Sequence, residues 1–245
     1  MTSTKNQFKA VFFDLGGTLF SYGDLSEPFN NLLLNQLTVQ GIEEEAGQAR
    51  AKYRRAMLEA FRAFGQKSFY LHAELFVQGY RNFLLEYELE STESQGLDFY
   101  RKQIELGVRN VRPRKDAINT IQILHDADLK MGIVSNIDDD QFHPIWARMN
   151  LSQWIPYTTT SQEARSCKPD SKIFKLAMNK LDNPEPHRCI FVGDSPEHDI
   201  RGANYLGLHS IWITSNPGRS ARLDYRDKPD YIIRHLSELL KIALR

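Results

Sequence analysis

Asp14 ends the apolar run "KAVFFD" and is followed by a glycine-containing turn and Thr18, the setting of an aspartate presented for nucleophilic attack. Three other stretches carry polar groups that suit such a nucleophile. Ser135 and Asn136 close "KMGIVSN", Lys168 stands in "CKPDSKIF", and Asp194 ends "IFVGD" with Asp199 five positions later. Each has an ordinary reading by itself. An aspartate after a strand is as often a turn or helix-cap residue, a lysine before proline is usually solvated, and an aspartate such as Asp199 favours a helix start. As a set they point to chemistry. Carboxylates, a hydroxyl and an ammonium converging on one sheet edge give a divalent-cation site beside a nucleophile, with a positive charge to neutralise a transferring phosphoryl group.

Convergence requires a frame that brings positions 14, 135, 168 and 194 together. Apolar runs at 9–14, 130–135, 188–193 and 209–214, rich in β-branched and aromatic residues, read as strands buried on both faces, with 156–161 as a weaker fifth. Between them lie helical patterns. Pro113 opens one carrying Ala117, Ile118, Ile121 and Leu124, and Ser171 precedes another with Ile173, Phe174, Ala177 and Leu181. This alternation predicts an α/β fold with a Rossmann-like parallel sheet, whose strand ends are where open sheets place their ligands.

The interval from about Ser21 to Asn110 has no strand pattern. Ala46, Ala49, Tyr53, Met57, Ala60 and Phe64 recur at helical spacing, as do Leu71, Leu75, Gly79, Phe83 and Tyr87. The expected organisation is therefore a core of residues 1–20 and 111–245, with an all-helical cap of residues 21–110 inserted after the first strand. The cap aromatics, among them Phe61, Phe64, Phe69, Tyr70 and Phe76, are expected mostly in its own core, with one or two facing substrate.

Composition narrows the function classes. Lys plus Arg and Asp plus Glu number 31 each in 245 residues, so no global field favours nucleic acid or an anionic membrane. No stretch approaches the roughly 20 apolar residues of a membrane span, and Asp14 interrupts the apolar run near the N-terminus. Two cysteines, Cys167 and Cys189, fit a reducing compartment better than a disulfide framework. The expectation is a cytoplasmic protein, monomeric or homodimeric, acting on a small molecule.

With these residues in place, the chain resembles the haloacid dehalogenase superfamily over almost its full length. "FFDLGGTLF" is similar to its first motif, "VSN" to its second, Lys168 with Pro169 to its third and "VGDSPEHDIRGANYLG" to its fourth. The resemblance implies that Asp14 attacks phosphorus and becomes a phosphoaspartate, with Ser135 and Lys168 holding phosphoryl oxygens. It implies Mg²⁺ on the carboxylates of Asp14 and Asp194 and on the Gly16 carbonyl, with Asp199 behind them orienting water or Lys168. Thr18 and Asn136 are the remaining candidates for contact with the phosphoryl group or its supports.

One position departs from that pattern. Phosphatases of the superfamily carry a second aspartate two places after the nucleophile, which protonates the leaving oxygen and then activates water; here the place is Gly16. The carbonyl ligand survives and the proton shuttle does not. Such a group is typically worth about 10² to 10⁴ in rate, so activity is expected to be low on ordinary alkyl phosphates. A water in the space beside Gly16 is the preferred replacement, with His198 and then His72 as alternatives.

Other branches of the superfamily also depart here. Its dehalogenases carry a tyrosine at this position and an arginine early in the cap, and its phosphonate-cleaving members carry alanine and a cap lysine. Residues 21–40 contain no arginine, although Arg50, Arg54 and Arg55 follow, and Lys52 and Lys67 are expected to be solvated. The leading expectation is a Mg²⁺-dependent phosphatase of a small phosphorylated metabolite. Carbon–halogen or carbon–phosphorus hydrolysis, or an impaired phosphate-binding regulatory protein, are the alternatives. "IDDD" at 137–140 is expected to be an exposed acidic turn opening a helix and "RPRK" at 112–115 the return from the cap; Cys167 has a neighbour, Lys168, that could lower its pKa, but nothing else suggests thiol chemistry.

Overall fold

A computed structural model describes residues 7–245, and only the backbone at position 219. Six parallel strands form one sheet: β1 (Ala10–Phe13), β2 (Lys130–Ser135), β3 (Tyr157–Thr160), β4 (Cys189–Gly193), β5 (His209–Ile213) and β6 (Tyr231–Ile233). Their spatial order is β3-β2-β1-β4-β5-β6. All four residues of β1 are buried, as a central strand covered on both faces demands. One face packs on the cluster that includes Val11, Phe13, Ile121 and Ile211, and the other on Phe12, Phe174, Ala177 and Phe191.

Strand register sets the site. Phe13 pairs with Ile133 on one side and with Val192 on the other. The residues that follow, Asp14, Ser135 and Asp194, therefore emerge together at the carboxyl edge. The five expected strands are present to within a residue or so at each end. The sixth, β6, has no counterpart in the sequence pattern, because its three residues lie in a polar segment and make a short edge strand.

The inserted segment is helical throughout: α1 (Ser26–Val39), α2 (Ala46–Phe64), α3 (His72–Leu85) and α4 (Glu93–Asn110), preceded by a short turn at Tyr22–Leu25. Thr92 starts α4 with a reciprocal cap, its hydroxyl accepting from the Gln95 amide while the Gln95 side chain accepts from the Thr92 amide. Helices α2 and α3 approach so closely at Gly79 that a Cβ there would lie 2.0 Å from the Met57 sulfur. The insert has its own core, with Tyr53, Phe83 and Phe99 buried and Tyr80 stacked on Phe99 at 4.3 Å.

The core helices are α5 (Ala117–Asp126), α6 (Asp139–Met149), α7 (Ser161–Ala164), α8 (Ser171–Lys180), α9 (Arg201–Leu206) and α10 (Leu240–Ala243). Helix α5 begins at Ala117 and not at Pro113. The reason is that the chain entering and leaving the insert pairs with itself first: Phe20 bridges Pro113, and the Arg114 amide donates to the Leu19 carbonyl at 2.8 Å.

The acidic turn also differs from its expected form. Asp138 does precede α6, but it is buried, and its carboxylate accepts the amides of His72 at 2.9 Å and Ala73 at 2.8 Å. Helix α3 has no side-chain cap of its own. A core aspartate thus supplies acceptors for the first turn of an insert helix, where free N–H groups and the helix dipole favour an anion.

Candidate active site

The Asp14 amide is held by the Val192 carbonyl at 2.9 Å, which fixes the start of the turn on the edge of β1. Its carboxylate is almost fully buried. Lys168 Nζ donates to Asp14 Oδ1 at 2.7 Å and Ser135 Oγ to the same oxygen at 3.2 Å, while Thr18 Oγ1 donates to Oδ2 at 3.4 Å. Lys168 also reaches Asp199 Oδ1 at 2.6 Å and the Val134 carbonyl at 2.9 Å. The other Asp199 oxygen accepts the Ser195 amide at 2.9 Å, which closes the turn after β4.

Two glycines make room for this. Gly17 has φ +80, and a Cβ there would lie 2.0 Å from Asp194 Oδ2; a Cβ on Gly193 would lie 2.3 Å from that of Asp199. The Asp194 carbonyl is steadied by the Trp212 indole at 2.9 Å.

Of the predicted residues, Asp14, Thr18, Ser135, Lys168, Asp194 and Asp199 meet at one place. Asn136 lines the same pocket, but both ends of its amide are engaged by the main chain of Lys168, at 2.7 and 3.1 Å. These bonds place the lysine loop, so Asn136 acts on a support of the expected phosphoryl site. Sequence reasoning missed Arg114, whose guanidinium donates to the carbonyls of Thr18, at 2.8 Å, and Gly17. It ties the return from the insert to the turn that carries Asp14, and no local pattern in "RPRK" signals that.

Three carboxylates, those of Asp14, Asp194 and Asp199, offer oxygens within 4.8 Å of one another. Burial pushes the Asp14 carboxyl up; Lys168 opposes this and the Asp199 charge adds to it. Asp194 is raised further, by burial and then by the charges of Asp14 and Asp199. Burial alone would lower the Lys168 ammonium, but the two carboxylates outweigh it and hold the group charged. Three acids facing one ammonium leave surplus negative charge in a poorly solvated space. Hard oxygen donors with that surplus suit a small divalent cation such as Mg²⁺.

The space beside Gly16 is not left to water. A Cβ at Gly16 would lie 2.1 Å from the hydroxyl of Tyr22, which occupies the region a carboxylate at this position would use. Tyr22 as a residue is 59% exposed, yet it lines the pocket with Asp14, Lys168 and Asp194. Enclosure of its hydroxyl, then the Asp194, Asp14 and Asp199 charges, keeps the phenol protonated well above its ordinary range.

The histidines take different places. His198 lines the pocket, contacts the Lys168 carbonyl through Nδ1 at 3.1 Å, and is lowered by burial. Buried His72 has no partner at Nε2 and is pushed down to about 4 by burial, with His198 and Lys168 adding to the shift, so it is neutral at pH 7. The neighbouring Lys168 does not bring the Cys167 pKa down. Burial raises the thiol, which packs in the insert core and not toward Lys168.

The catalytic pocket, of about 170 Å³, adjoins a larger cavity of about 360 Å³ between core and insert. Gly16, Tyr22, Phe61, His72, Ser135 and Asn136 line both. Lys52 and Lys67 line neither. Lys52 pairs with Glu44 at 2.9 Å over the Tyr87 ring, and Lys67 lies over Phe64. Phe61 and Phe76 face the larger cavity and Tyr70, though buried, lines the smaller pocket, while Phe64 and Phe69 pack against the insert core.

A parallel α/β core with a buried aspartate, lysine and acidic cluster at its carboxyl edge, under a helical insert, defines a class of hydrolase. The chain belongs to the haloacid dehalogenase-like hydrolases, whose family model matches residues 8–207. It is 24% identical to a glyceraldehyde 3-phosphate phosphatase of Pyrococcus furiosus over 98% of this chain and 94% of that one. Among solved structures it is similar to the putative hydrolase YfnB of Bacillus subtilis bound to magnesium, with TM-score 0.79, 21% identity, and 96% and 98% of the two chains covered. An L-2-haloacid dehalogenase of Xanthobacter autotrophicus shares the fold as well, with TM-score 0.73, 21% identity, and 96% and 98% covered. Among the described residues no helix is long and apolar enough to cross a membrane.

Proposed function

We propose that the protein is a Mg²⁺-dependent phosphatase of small phosphomonoesters, acting through a phosphoaspartate on Asp14. The observation that carries this reading is the buried Asp14–Lys168–Asp199 ion-pair chain with Asp194 beside it, at 2.7 and 2.6 Å. A dehalogenase has no need of so much negative charge around its nucleophile. Asp14 and Asp194, with the Gly16 carbonyl, are the groups that would hold the cation, and Asp199 lies just behind. The cation, when bound, offsets the carboxylates and draws charge from the phosphoryl oxygens.

The side chains then divide the work. Asp14 Oδ2, whose partner is the long contact from Thr18, is the freer oxygen for attack on phosphorus. Ser135 and Lys168 hold Oδ1 and are placed to take phosphoryl oxygens as the new bond forms. Lys168 stays charged through both half-reactions because Asp199 remains paired with it. The insert covers the cleft and limits bulk water around the phosphoaspartate.

One observation favours a second reading. Tyr22 brings a phenol to the place where dehalogenases of the superfamily carry a tyrosine. Two assays separate the readings: phosphate release from 4-nitrophenyl phosphate with Mg²⁺ or with chelator, and chloride release from 2-chloropropionate. The phosphatase reading expects the first, dependent on metal and lost in Asp14→Asn. Metal-independent chloride release without phosphate release overturns it.

A further inference from the structure

We propose that the natural substrate is a phosphomonoester whose organic part is apolar, aryl or branched alkyl, and not a sugar, polyol or nucleoside. This rests on the phosphatase reading above and concerns what the larger cavity holds. Past the junction with the catalytic pocket, the apolar lining includes Leu15, Phe20 and Ile145 from the core and Leu25, Phe29, Phe76 and Leu106 from the insert. Polar side chains also reach the lining, Gln103 and Gln141 among them, and several are already engaged. Tyr53 is engaged by Gln103 at 3.2 Å, and the charged Arg50 turns to Ser26 and Asn30. A sugar would bury hydroxyls against carbon here, where an unpaired polar group is penalised. An apolar body instead gains from leaving water. A volume of about 360 Å³ falls in the range of small-molecule sites.

The test compares two esters with similar alkyl leaving oxygens, 3-phenylpropyl phosphate and glycerol 3-phosphate. The expected result is at least a hundredfold higher kcat/KM for the phenylpropyl ester. A second variant reads the cavity itself. Gly107 lines it from α4, and a Cβ there meets only the tip of Ile145, at 3.6 Å, so Gly107→Leu fills space without breaking the helix. It should raise KM for the phenylpropyl ester at least tenfold more than for methyl phosphate. Equal or better turnover of glycerol 3-phosphate, or equal effects of the variant on both esters, overturns the proposal while leaving the phosphatase reading intact. Hydrolysis of no phosphomonoester at all overturns that reading instead.

A separate observation, the 2.1 Å between the Tyr22 hydroxyl and the place of a Gly16 Cβ, carries a second inference. We infer that Tyr22 replaces the missing carboxylate as proton carrier. As the phosphorus–oxygen bond to the leaving group breaks, the leaving oxygen takes the phenolic proton and departs as the alcohol. The phenolate then takes a proton from the water whose oxygen attacks the phosphoaspartate. The bond from phosphorus to Asp14 breaks, and carboxylate, phenol and inorganic phosphate result. Tyr22 meets the requirement of position, since its hydroxyl reaches the pocket beside Asp14 from the first turn of the insert.

A leaving group that needs no proton distinguishes this role from a structural one. Tyr22→Phe should lose about 10²-fold in kcat on 3-phenylpropyl phosphate and at least tenfold less than that on 4-nitrophenyl phosphate, whose phenolate leaves unaided. Equal losses on the two esters, or no loss on either, overturn the assignment. Tyr22→Leu, which empties the space, guards against a packing effect: it should show the same dependence on leaving group, and an equal loss on both esters again counts against proton transfer.

Discussion

The pair of Gly16 and Tyr22 admits a direct test, because the structure allows only one of two groups in the same space. In Gly16→Asp the new Cβ would lie 2.1 Å from the Tyr22 hydroxyl and 2.8 Å from its Cζ, so the ring must move. It can do so at small cost. Tyr22 is 59% exposed and held by an edge contact with Phe20 at 5.4 Å, an interaction worth about 0.5 to 1.5 kcal/mol. The Gly16 backbone lies outside the left-handed region, so a side chain adds no backbone strain. The introduced carboxylate should then act as the shuttle and leave Tyr22 idle.

General acid catalysis at the low end of its usual range gives about 10²-fold for Tyr22 in the native protein, or about 2.7 kcal/mol of barrier. On an alkyl phosphate, Tyr22→Phe alone should lose that factor and Gly16→Asp alone should gain tenfold or more. In the Gly16→Asp background, Tyr22→Phe should cost less than about threefold, a coupling of about 2 kcal/mol between the two sites. The assay is kcat/KM from phosphate release for all four proteins, with Mg²⁺ affinity by calorimetry as a check on the site. Equal losses from Tyr22→Phe in both backgrounds would refute the exchange of roles.

Three further outcomes follow from the same geometry. The unfolded chain protonates His72 below its ordinary pKa of 6.5, while the folded protein resists until about 4. Stability from this group is therefore full above pH 6.5 and falls between 6.5 and 4 by up to about 3 kcal/mol; urea melts of His72→Phe should show a flatter limb there. Asp138→Ala strands the amides of His72 and Ala73, and should cost about 1 to 3 kcal/mol in the same melts. Mg²⁺ at 100 times its Kd should stabilise the native protein by about 2.7 kcal/mol, seen as a raised Tm, and Asp194→Asn should remove most of that rise.

What the sequence made legible was whatever depended on local spacing. Consecutive apolar residues marked β1, β2, β4 and β5, and the register of those strands delivered Asp14, Ser135 and Asp194 to one edge. Helical stripes in the insert found the faces that pack at Ala49, Tyr53, Leu75 and Phe83. The rest depends on side chains meeting across the fold. Asp138 reads as surface charge until α3 is seen to begin above it, and Arg114 reads as a linker residue until its fork reaches the Asp14 turn. Tyr22 stands six positions after Gly16, so an aromatic close behind the glycine was the available signal. Nothing in the spacing says that the chain folds back to place its hydroxyl there.

A charged pocket opening into an apolar cavity divides binding from chemistry. On the proposed phosphatase reading the phosphoryl group sits against Asp14, Ser135 and Lys168 in every phosphomonoester, so those contacts cannot select among them. Selection falls to the body in the cavity, where each buried methylene is worth about 0.8 kcal/mol, or about fourfold in kcat/KM. A series of straight-chain alkyl phosphates should therefore climb about fourfold per carbon until the space between Leu106, Phe29 and Ile145 is full, and then level off. If the gain appears in kcat as well as in KM, binding energy from the remote body is being used to hold the phosphoryl group against Asp14 and Tyr22. A flat series would mean that the cavity walls part in solution and that the apolar lining does not grip the substrate.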